Sequence, residues 1–244
     1  GNPSENIIIA DQFWGNYKLM FQEELELGFT THNTFKGNGL DVDSFREVMA
    51  TAADQKKIIL FNYPNNPNGY MPTKAEGDAL LAIVQERAEA GDDLVVILDD
   101  AYFGLTYEDD AYPESFFSAL AQMHENVVVA KVDGPTKEDY VWGFRVGFVT
   151  FGGKGLTDET ATVLADKAAG CVRGTVSNVS HVAQSALLQL YRSPEYAAQK
   201  ERNDQLLKER YQRVRAELAA HPEFEADFTS LPFNAAYFMC VELR

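Results

Sequence analysis

Two cationic side chains, Lys137 and Arg145, lie eight residues apart in the middle of the chain. Lys137 follows an apolar run, residues 127–130, which predicts a buried strand. An amine in such a place could form a Schiff base with an aldehyde, and a guanidinium close to it could hold an anion. The chemistry that this pair can support depends on which other groups the fold brings to it.

Three further side chains, Trp14, Asn66 and Asp99, come at or just after the ends of apolar runs. Ligands of open α/β sheets bind outside the carboxyl ends of parallel strands, so we expect these residues to share one rim with Lys137. An aromatic ring, a carboxamide, a carboxylate and an amine suit a flat heteroaromatic cofactor that carries an aldehyde. Pyridoxal phosphate needs all four, and Arg145 could hold its phosphate bidentately.

The elements that must position these residues alternate between strands and helices. Predicted strands cover residues 7–10, 25–30, 57–62, 94–99 and 126–131. One predicted helix begins near Asp41 and runs to about Ala53, and another begins with a capping box formed by Thr73 and Glu76. Residues 142–151 are predicted to add an antiparallel strand. This alternation indicates a three-layer, doubly wound α/β fold with a mostly parallel sheet.

Helical patterns dominate the remainder of the chain. They cover residues 159–169, residues 180–191, and a long helix that begins at Ser193-Pro194 and extends to about residue 220. Residues 224–228 and 235–243 are predicted strands. We therefore expect a large cofactor-binding domain at 1–178, a helical connection with a long interdomain helix at 179–222, and the incomplete start of a smaller C-terminal α+β domain at 223–244.

The amino-acid composition restricts the classes of partner that the protein is expected to bind. The chain has 21 Lys and Arg against 37 Asp and Glu, a net charge of −16, which disfavours nucleic acid. Every apolar run is far shorter than the roughly 20 residues that span a bilayer, so we expect no membrane partner. The two cysteines are distant in sequence and the four histidines lack ligand spacing, so no metal site is expected and a reducing cytoplasm is favoured.

Three motifs in order resemble those of fold-type I pyridoxal-phosphate enzymes, specifically class I/II aminotransferases of the aspartate and aromatic type. They are Asn66-Pro-Asn-Gly69, Asp99-Asp-Ala-Tyr102, and Thr136-Lys137 with Arg145 eight residues on. The resemblance covers about residues 11–243 and corresponds to the central portion of longer family members. It implies the large-domain fold of these enzymes, pyridoxal 5′-phosphate as cofactor, and amino acids and 2-oxo acids as substrates.

The resemblance also assigns roles. Lys137 would form the internal aldimine and then move the proton between the substrate Cα and the cofactor. Asp99 would pair with the pyridinium nitrogen, and Asn66 and Tyr102 would hydrogen-bond the 3′-oxygen. Trp14 would stack on the ring.

The resemblance gives the two arginines anionic partners. Arg145 would bind the cofactor phosphate. The stretch from Arg173 to Ser177 and Asn178 resembles one that reaches the neighbouring subunit's site in members acting on acidic substrates. Arg173 would then bind the distal carboxylate of a substrate in the neighbouring subunit's site of a homodimer.

The chain departs from the family pattern at several points. Gly134 stands where the family commonly has a phosphate-binding serine, and neither the upstream glycine-rich turn nor the C-terminal arginine for the substrate α-carboxylate is found. Gly1, directly before Asn-Pro-Ser, indicates a cut chain. Three hypotheses follow: a pyridoxal-phosphate-dependent transaminase, a catalytically incompetent large-domain fragment, or a lyase or decarboxylase on the same fold.

Overall fold

The computed structural model describes residues 5–52 and 55–244, which form a layered α/β structure. The strands are β1 (Asn6–Ala10), β2 (Gly28–His32), β3 (Phe35–Lys36), β4 (Gly39–Leu40), β5 (Lys56–Asn62), β6 (Asp93–Asp99), β7 (Val127–Asp133), β8 (Phe148–Gly152), β9 (Phe228–Ser230) and β10 (Val241–Leu243). The α-helices are α1 (Val42–Thr51), α2 (Lys74–Glu89), α3 (Phe117–Met123), α4 (Pro135–Glu138), α5 (Asp158–Thr175), α6 (His181–Arg192) and α7 (Tyr196–Ala220).

The central sheet has six strands in the order β2-β1-β5-β6-β7-β8. All neighbouring pairs are parallel except β7 and β8, which are antiparallel. The mostly parallel α/β fold predicted from the sequence is therefore confirmed. Register aligns the strand ends, because Asn62 lies opposite Asp99 and Asp99 opposite Val132. The carboxyl ends of β5, β6 and β7 thus form one level rim.

Both faces of the sheet carry apolar packing. On one face, α1, α2 and α3 bury a core that includes Phe45, Ile59 and Leu120. On the other face, Tyr17 and its neighbours pack on Ile7 and Ile9 of β1. Strands buried on both faces are continuously apolar, which is why these runs could be found in the sequence.

The predicted helix starts near Asp41 and Thr73 are confirmed. The Asp41 carboxylate accepts a hydrogen bond from the Ser44 backbone N–H, and Thr73 and Glu76 form the reciprocal capping box. Helix α1 ends at Thr51, and the predicted end at Ala53 lies outside the described residues.

The prediction of a continuous strand over 142–151 is wrong. Trp142–Phe144 form a 3-10 turn, Arg145 has a left-handed φ of 53°, and β8 begins only at Phe148. Pairing with β7 requires extended backbone, and the left-handed residue interrupts it. The turn redirects the chain so that Arg145 faces the rim instead of joining the sheet.

The predicted strands near the C-terminus are much shorter than expected. Residues 222–226 form a 3-10 turn, and strand structure is confined to β9 and β10. Residues 234–236 bond elsewhere: the Asn234 side chain accepts from Met71 N–H at 2.7 Å, and the Ala236 N–H donates to the Leu105 carbonyl. These long-range bonds hold the segment against the loops that follow β5 and β6.

Gly69 lies where this C-terminal segment crosses the Asn66 turn. Its φ is +72°, and a Cβ there would meet the Phe238 carbonyl oxygen at 2.2 Å. Both the conformation and the space exclude any larger residue. The glycine therefore permits a close crossing of two chain segments that are far apart in sequence.

Other differences are smaller. Helix α5 continues to Thr175, beyond the predicted end at residue 169, and the long helix α7 begins at Tyr196 instead of at Pro194. The β3–β4 hairpin, α3 and α4 were not predicted. Within residues 5–52 and 55–244, no helix is both long enough and apolar enough to cross a membrane.

Candidate active site

A cavity of about 230 Å³ opens at the carboxyl ends of β6 and β7. Asp99, Gly134, Lys137 and Arg145 are among the residues that line it. The structure thus brings together three of the predicted site residues, which come from a strand end, a one-turn helix and a left-handed turn. An acid, an amine and a guanidinium face one space.

Lys137 lies on α4, which begins with Pro135 at its first position directly after β7. Its Nζ is 5.3 Å from the centre of the Tyr102 ring. Across the part of the chain that the structure describes, this amine has no ion pair or hydrogen bond. An unpaired amine at a polar cavity is available to a ligand.

Arg145 is the second cation at the cavity. Its side chain is exposed, and the described residues supply it with no carboxylate partner. Asp133, which also lines the cavity, is already paired with Lys131. The guanidinium is therefore free to bind an external anion.

Asp99 is held by neutral donors. Its carboxylate accepts a short hydrogen bond from the Tyr17 hydroxyl and another from the Ala101 N–H at 3.1 Å. Burial, together with the charge of Asp99, raises the pKa of Tyr17 well above its usual range. The phenol therefore remains a hydrogen-bond donor to the Asp99 carboxylate.

Sequence reasoning missed Tyr17. It follows Trp14, a predicted site residue, by three positions. This short spacing was the only sequence signal that could have indicated Tyr17 as a site residue. Tyr17 and its partner Asp99 are 82 positions apart, so the hydrogen bond between them could not be predicted from neighbouring residues.

Asn66 and Tyr102 contact each other but are not among the residues that line the cavity, and Tyr102 is linked to it through the Lys137 amine over its ring. The Asn66 amide donates to the Tyr102 hydroxyl at 3.5 Å, and burial with a contribution from Tyr237 raises the pKa of Tyr102. Asn62, which was also missed, bridges the two strands: its amide donates to the Asp99 carbonyl, and its oxygen accepts from the Asn66 N–H at 2.8 Å. This bridge fixes the turn that presents Asn66.

Trp14 lies farther from the amine. Its ring packs edge-on against Tyr17 with centroids 5.6 Å apart, and 38% of the residue is exposed. Trp14 is not among the residues lining the Lys137 cavity. It reaches the site through Tyr17, which contacts Asp99 directly.

The departure at Gly134 has a structural reason. A Cβ on this residue would lie 2.9 Å from both the Gly147 Cα and the Val146 carbonyl oxygen. Both are backbone atoms that cannot rotate away, so serine does not fit this loop without a backbone shift. The serine of the family pattern is therefore excluded here by the close approach of residues 146–147.

Arg173 is not brought to the cavity within this chain. It lies exposed near the end of α5 and donates a hydrogen bond to the Ser177 hydroxyl. Its predicted role in a neighbouring subunit's site stays a prediction.

Comparison with known proteins identifies the family of the chain. The family model described as aminotransferase class I and II matches residues 1–244. The mitochondrial aspartate aminotransferase of Schizosaccharomyces pombe is 29% identical over 149 residues, 59% of this chain and 32% of that protein. An aspartate aminotransferase from a Bacillus species is 22% identical over 92% of this chain and 52% of its own length. The chain thus spans about a third to a half of these relatives.

Solved structures support the fold. An aminotransferase from Anaerococcus prevotii superposes with a TM-score of 0.82 at 23% identity, over 96% of this chain and 57% of that one. An aromatic amino acid aminotransferase from Burkholderia cenocepacia gives 0.72 at 21% identity, over 92% and 54%. Since the family model matches from the first residue to the last, the chain belongs to the class I and II aminotransferase family.

Proposed function

We propose that this chain binds pyridoxal 5′-phosphate through Lys137 and forms part of a transaminase that moves an amino group between an amino acid and a 2-oxo acid. One observation carries the proposal. Lys137, Asp99 and Arg145 face a single cavity, and neither cation has an ion pair among the described residues. The three groups match the aldehyde, the ring nitrogen and the phosphate of that cofactor.

The residues present fit this cofactor. Bound pyridoxal phosphate supplies an electron sink that stabilises negative charge at the substrate Cα. The Lys137 amine would hold the cofactor covalently, and once released it would accept or return the proton that leaves that carbon. The Asp99 carboxylate keeps a proton on the ring nitrogen, and Tyr17 and the Ala101 N–H orient it.

The remaining groups bind and shield. Asn66 and Tyr102, already in contact with each other, would hydrogen-bond the 3′-oxygen, and Arg145 would hold the phosphate. Trp14, which packs against Tyr17 outside the cavity lining, would have to turn toward the ring in order to stack on it. Arg173 reads a distal substrate carboxylate across a homodimer, which would explain why it lies outside the cavity of its own chain.

Covalent capture tests the cofactor site. The chain is mixed with pyridoxal phosphate, reduced with borohydride and digested, and the modified peptide is identified by mass spectrometry. We expect a pyridoxyl group on Lys137, and Lys74, an exposed lysine with its own partner Asp78, serves as the internal control. Labelling that is absent from Lys137, or equal on Lys74, would refute the assignment.

The reaction type needs a separate measurement. A panel of amino acids and 2-oxo acids is incubated with the loaded protein, and the new amino acid, ammonia and carbon dioxide are quantified. Amino-group exchange is expected. Release of ammonia or carbon dioxide without exchange would replace transamination with a lyase or decarboxylase, and capture without any turnover would identify an incompetent large-domain fragment.

A further inference from the structure

The three residues that follow Lys137 are all held by the helices α6 and α7. The Asp139 carboxylate accepts hydrogen bonds from the Tyr191 hydroxyl at 2.7 Å and the Tyr196 hydroxyl at 2.6 Å. These phenols come from the end of α6 and the first residue of α7. One carboxylate, two positions beyond the lysine, thus ties both helices to its loop.

Two further bonds reinforce this attachment. The Lys200 amine donates to the Glu138 carbonyl at 2.8 Å, and the Tyr140 hydroxyl donates to Asp204 at 2.7 Å. Residues 196, 200 and 204 recur every four positions and therefore lie on one face of α7. We call the contacts of Tyr191, Tyr196, Lys200 and Asp204 with residues 138–140 the helix clamp.

Little else fixes the lysine. Helix α4 has only four residues, and its N-cap residue, Gly134, makes no side-chain cap bond. A single helical turn is not stable by itself, because nucleation costs more than one turn of hydrogen bonds returns. Before the lysine, Pro135 is buried. After it, backbone bonds from Asp139 to Pro135 and from Tyr140 to Lys137 close the turn, and the helix clamp joins that turn to α6 and α7.

The two phenols of the helix clamp keep their protons over the neutral pH range. Burial, and next the hydrogen bond to Asp139, raise the pKa of both Tyr191 and Tyr196 above the ordinary phenol value. The phenols therefore stay protonated through the neutral range. Glu138 and Asp204 also face this cluster, and Lys200 lies 4.0 Å and 3.7 Å from their carboxylates.

We infer that Tyr191 and Tyr196 are positioning residues for Lys137: through Asp139 they hold α4 so that the amine stays over Tyr102 and beside the cavity. The inference rests on the proposed function for the role of the amine. It also links the long helix to the reactive lysine, because a shift at the start of α7 must move residues 138–140 with it.

The test compares the double variant Tyr191→Phe/Tyr196→Phe with the wild type. Trace acetylation in the absence of cofactor, read by peptide mass spectrometry over a pH series, reports how accessible the Lys137 amine is. Cofactor capture followed by borohydride reduction reports how well it is placed. In the double variant we expect acetylation of Lys137 to be roughly fivefold faster and capture roughly fivefold slower, because both phenol hydrogen bonds to Asp139 are lost.

Opposite changes in the two rates separate positioning from loss of structure. Lys57, which is 3% exposed in its side chain, must remain protected from acetylation, which shows that the sheet is intact. Tyr211→Phe is the matched control: this tyrosine lies on the same helix and donates to a carboxylate, Glu108, away from the Lys137 cavity. It should leave both rates unchanged.

Each outcome decides something. Wild-type rates in the double variant, with Lys57 still protected, would overturn the positioning role. If Lys57 becomes labelled in the double variant, the single variants Tyr191→Phe and Tyr196→Phe replace it, because each leaves one phenol on Asp139. Each must then change the acetylation and capture rates in the same directions as expected for the double variant, but less. Unchanged rates in the single variants would also overturn the positioning role. If wild-type Lys137 captures no cofactor, the proposed function fails, and acetylation alone still judges the helix clamp.

Discussion

The molecule contains two groups of the same composition, a lysine, an arginine and an aspartate, at opposite ends of its sheet. At the amino end, Asp92 accepts from Lys57 at 2.9 Å and from Arg87 at 2.7 Å. Lys57 and Asp92 are buried. Both cations there pair with the one carboxylate, and the group joins the start of β5 to α2 and to the loop between α2 and β6.

At the carboxyl end, the same three residue types do not pair. Asp99 is bound by a phenol and a backbone N–H, while Lys137 and Arg145 lack carboxylate partners within the described chain. The amino-end group stabilises the fold through its ion pairs, whereas under the proposed function the charges of the carboxyl-end group bind the cofactor.

The largest contrast is expected from Lys137→Ala. Covalent capture of pyridoxal phosphate should be lost completely, whereas the free energy of unfolding should change by less than about 0.5 kcal/mol, because no ion pair is broken. Capture is measured by mass spectrometry after reduction, and stability by urea unfolding. Capture that persists on another residue would remove Lys137 from its proposed role. Lys74→Ala provides the control for removing a surface lysine.

The reciprocal change is Asp92→Ala. It removes the carboxylate that both the buried Lys57 ammonium and Arg87 contact, so we expect a loss of about 3–5 kcal/mol of unfolding free energy. Asp78→Ala, which breaks the exposed pair with Lys74, should cost at most about 1 kcal/mol. Protein that remains folded should still capture the cofactor on Lys137. Similar stability of the two variants in urea would contradict the structural role of the amino-end group.

Arg145→Met sharpens the account of the carboxyl-end group. Affinity for pyridoxal phosphate should fall roughly 10- to 100-fold, because a charge-assisted bidentate contact is lost, while affinity for pyridoxal should not change. Fluorescence titration with both compounds measures this. Equal losses for both would exclude the phosphate as the partner of Arg145. Arg215→Met, on the rings of Tyr211 and Phe233, is the matched arginine control.

The smallest effect is a difference in pH dependence between two aspartates. Burial would raise the pKa of Asp92, but the bonds from Arg87 and Lys57 outweigh it and hold the pKa below its usual range. Burial of Asp100 raises its pKa to about 6, although a hydrogen bond from Ser115 opposes the shift. Asp92 therefore stabilises the fold above its unfolded pKa, and this contribution disappears as the pH falls.

The contribution of Asp100 to stability changes with pH in the opposite direction. Its contribution is complete below its ordinary pKa of 3.8 and is lost as the pH rises through about 6. Asp100→Asn should accordingly unfold less readily than the wild type at pH 8, by on the order of 1–2 kcal/mol, and equally readily near pH 4. Urea unfolding across this range is the measurement. A difference that does not depend on pH would show that Asp100 is not the titrating group.

Much of the fold follows from local pattern. Continuously apolar runs mark the parallel strands, and the capping box at Thr73 marks a helix start, because both signals depend on neighbouring residues alone. Strand order then places Asp99 and Lys137 on one rim. Tyr17 and Asn62 could not be found this way, since each acts through a partner that only the folded sheet brings near.

The errors have the same origin. Residues 235–243 have the apolar pattern of a strand, yet Ala235 and Ala236 bond to Gly69 and Leu105, which are distant in sequence. Arg145 lies in a left-handed turn that no local signal required. Where long-range contacts determine the backbone, sequence pattern alone predicts the wrong element.

The crossing at Gly69 bears on the order in which the molecule is assembled. Asn234 bonds both backbone groups of Met71 from 163 positions away, and the Asn66 turn lies beneath that contact. Closing so long a loop is slow compared with forming local structure. On a ribosome, therefore, the sheet and Lys137 emerge well before the segment that completes the neighbouring turn, and we expect the nascent chain to complete this rim only after residues 234–238 have emerged.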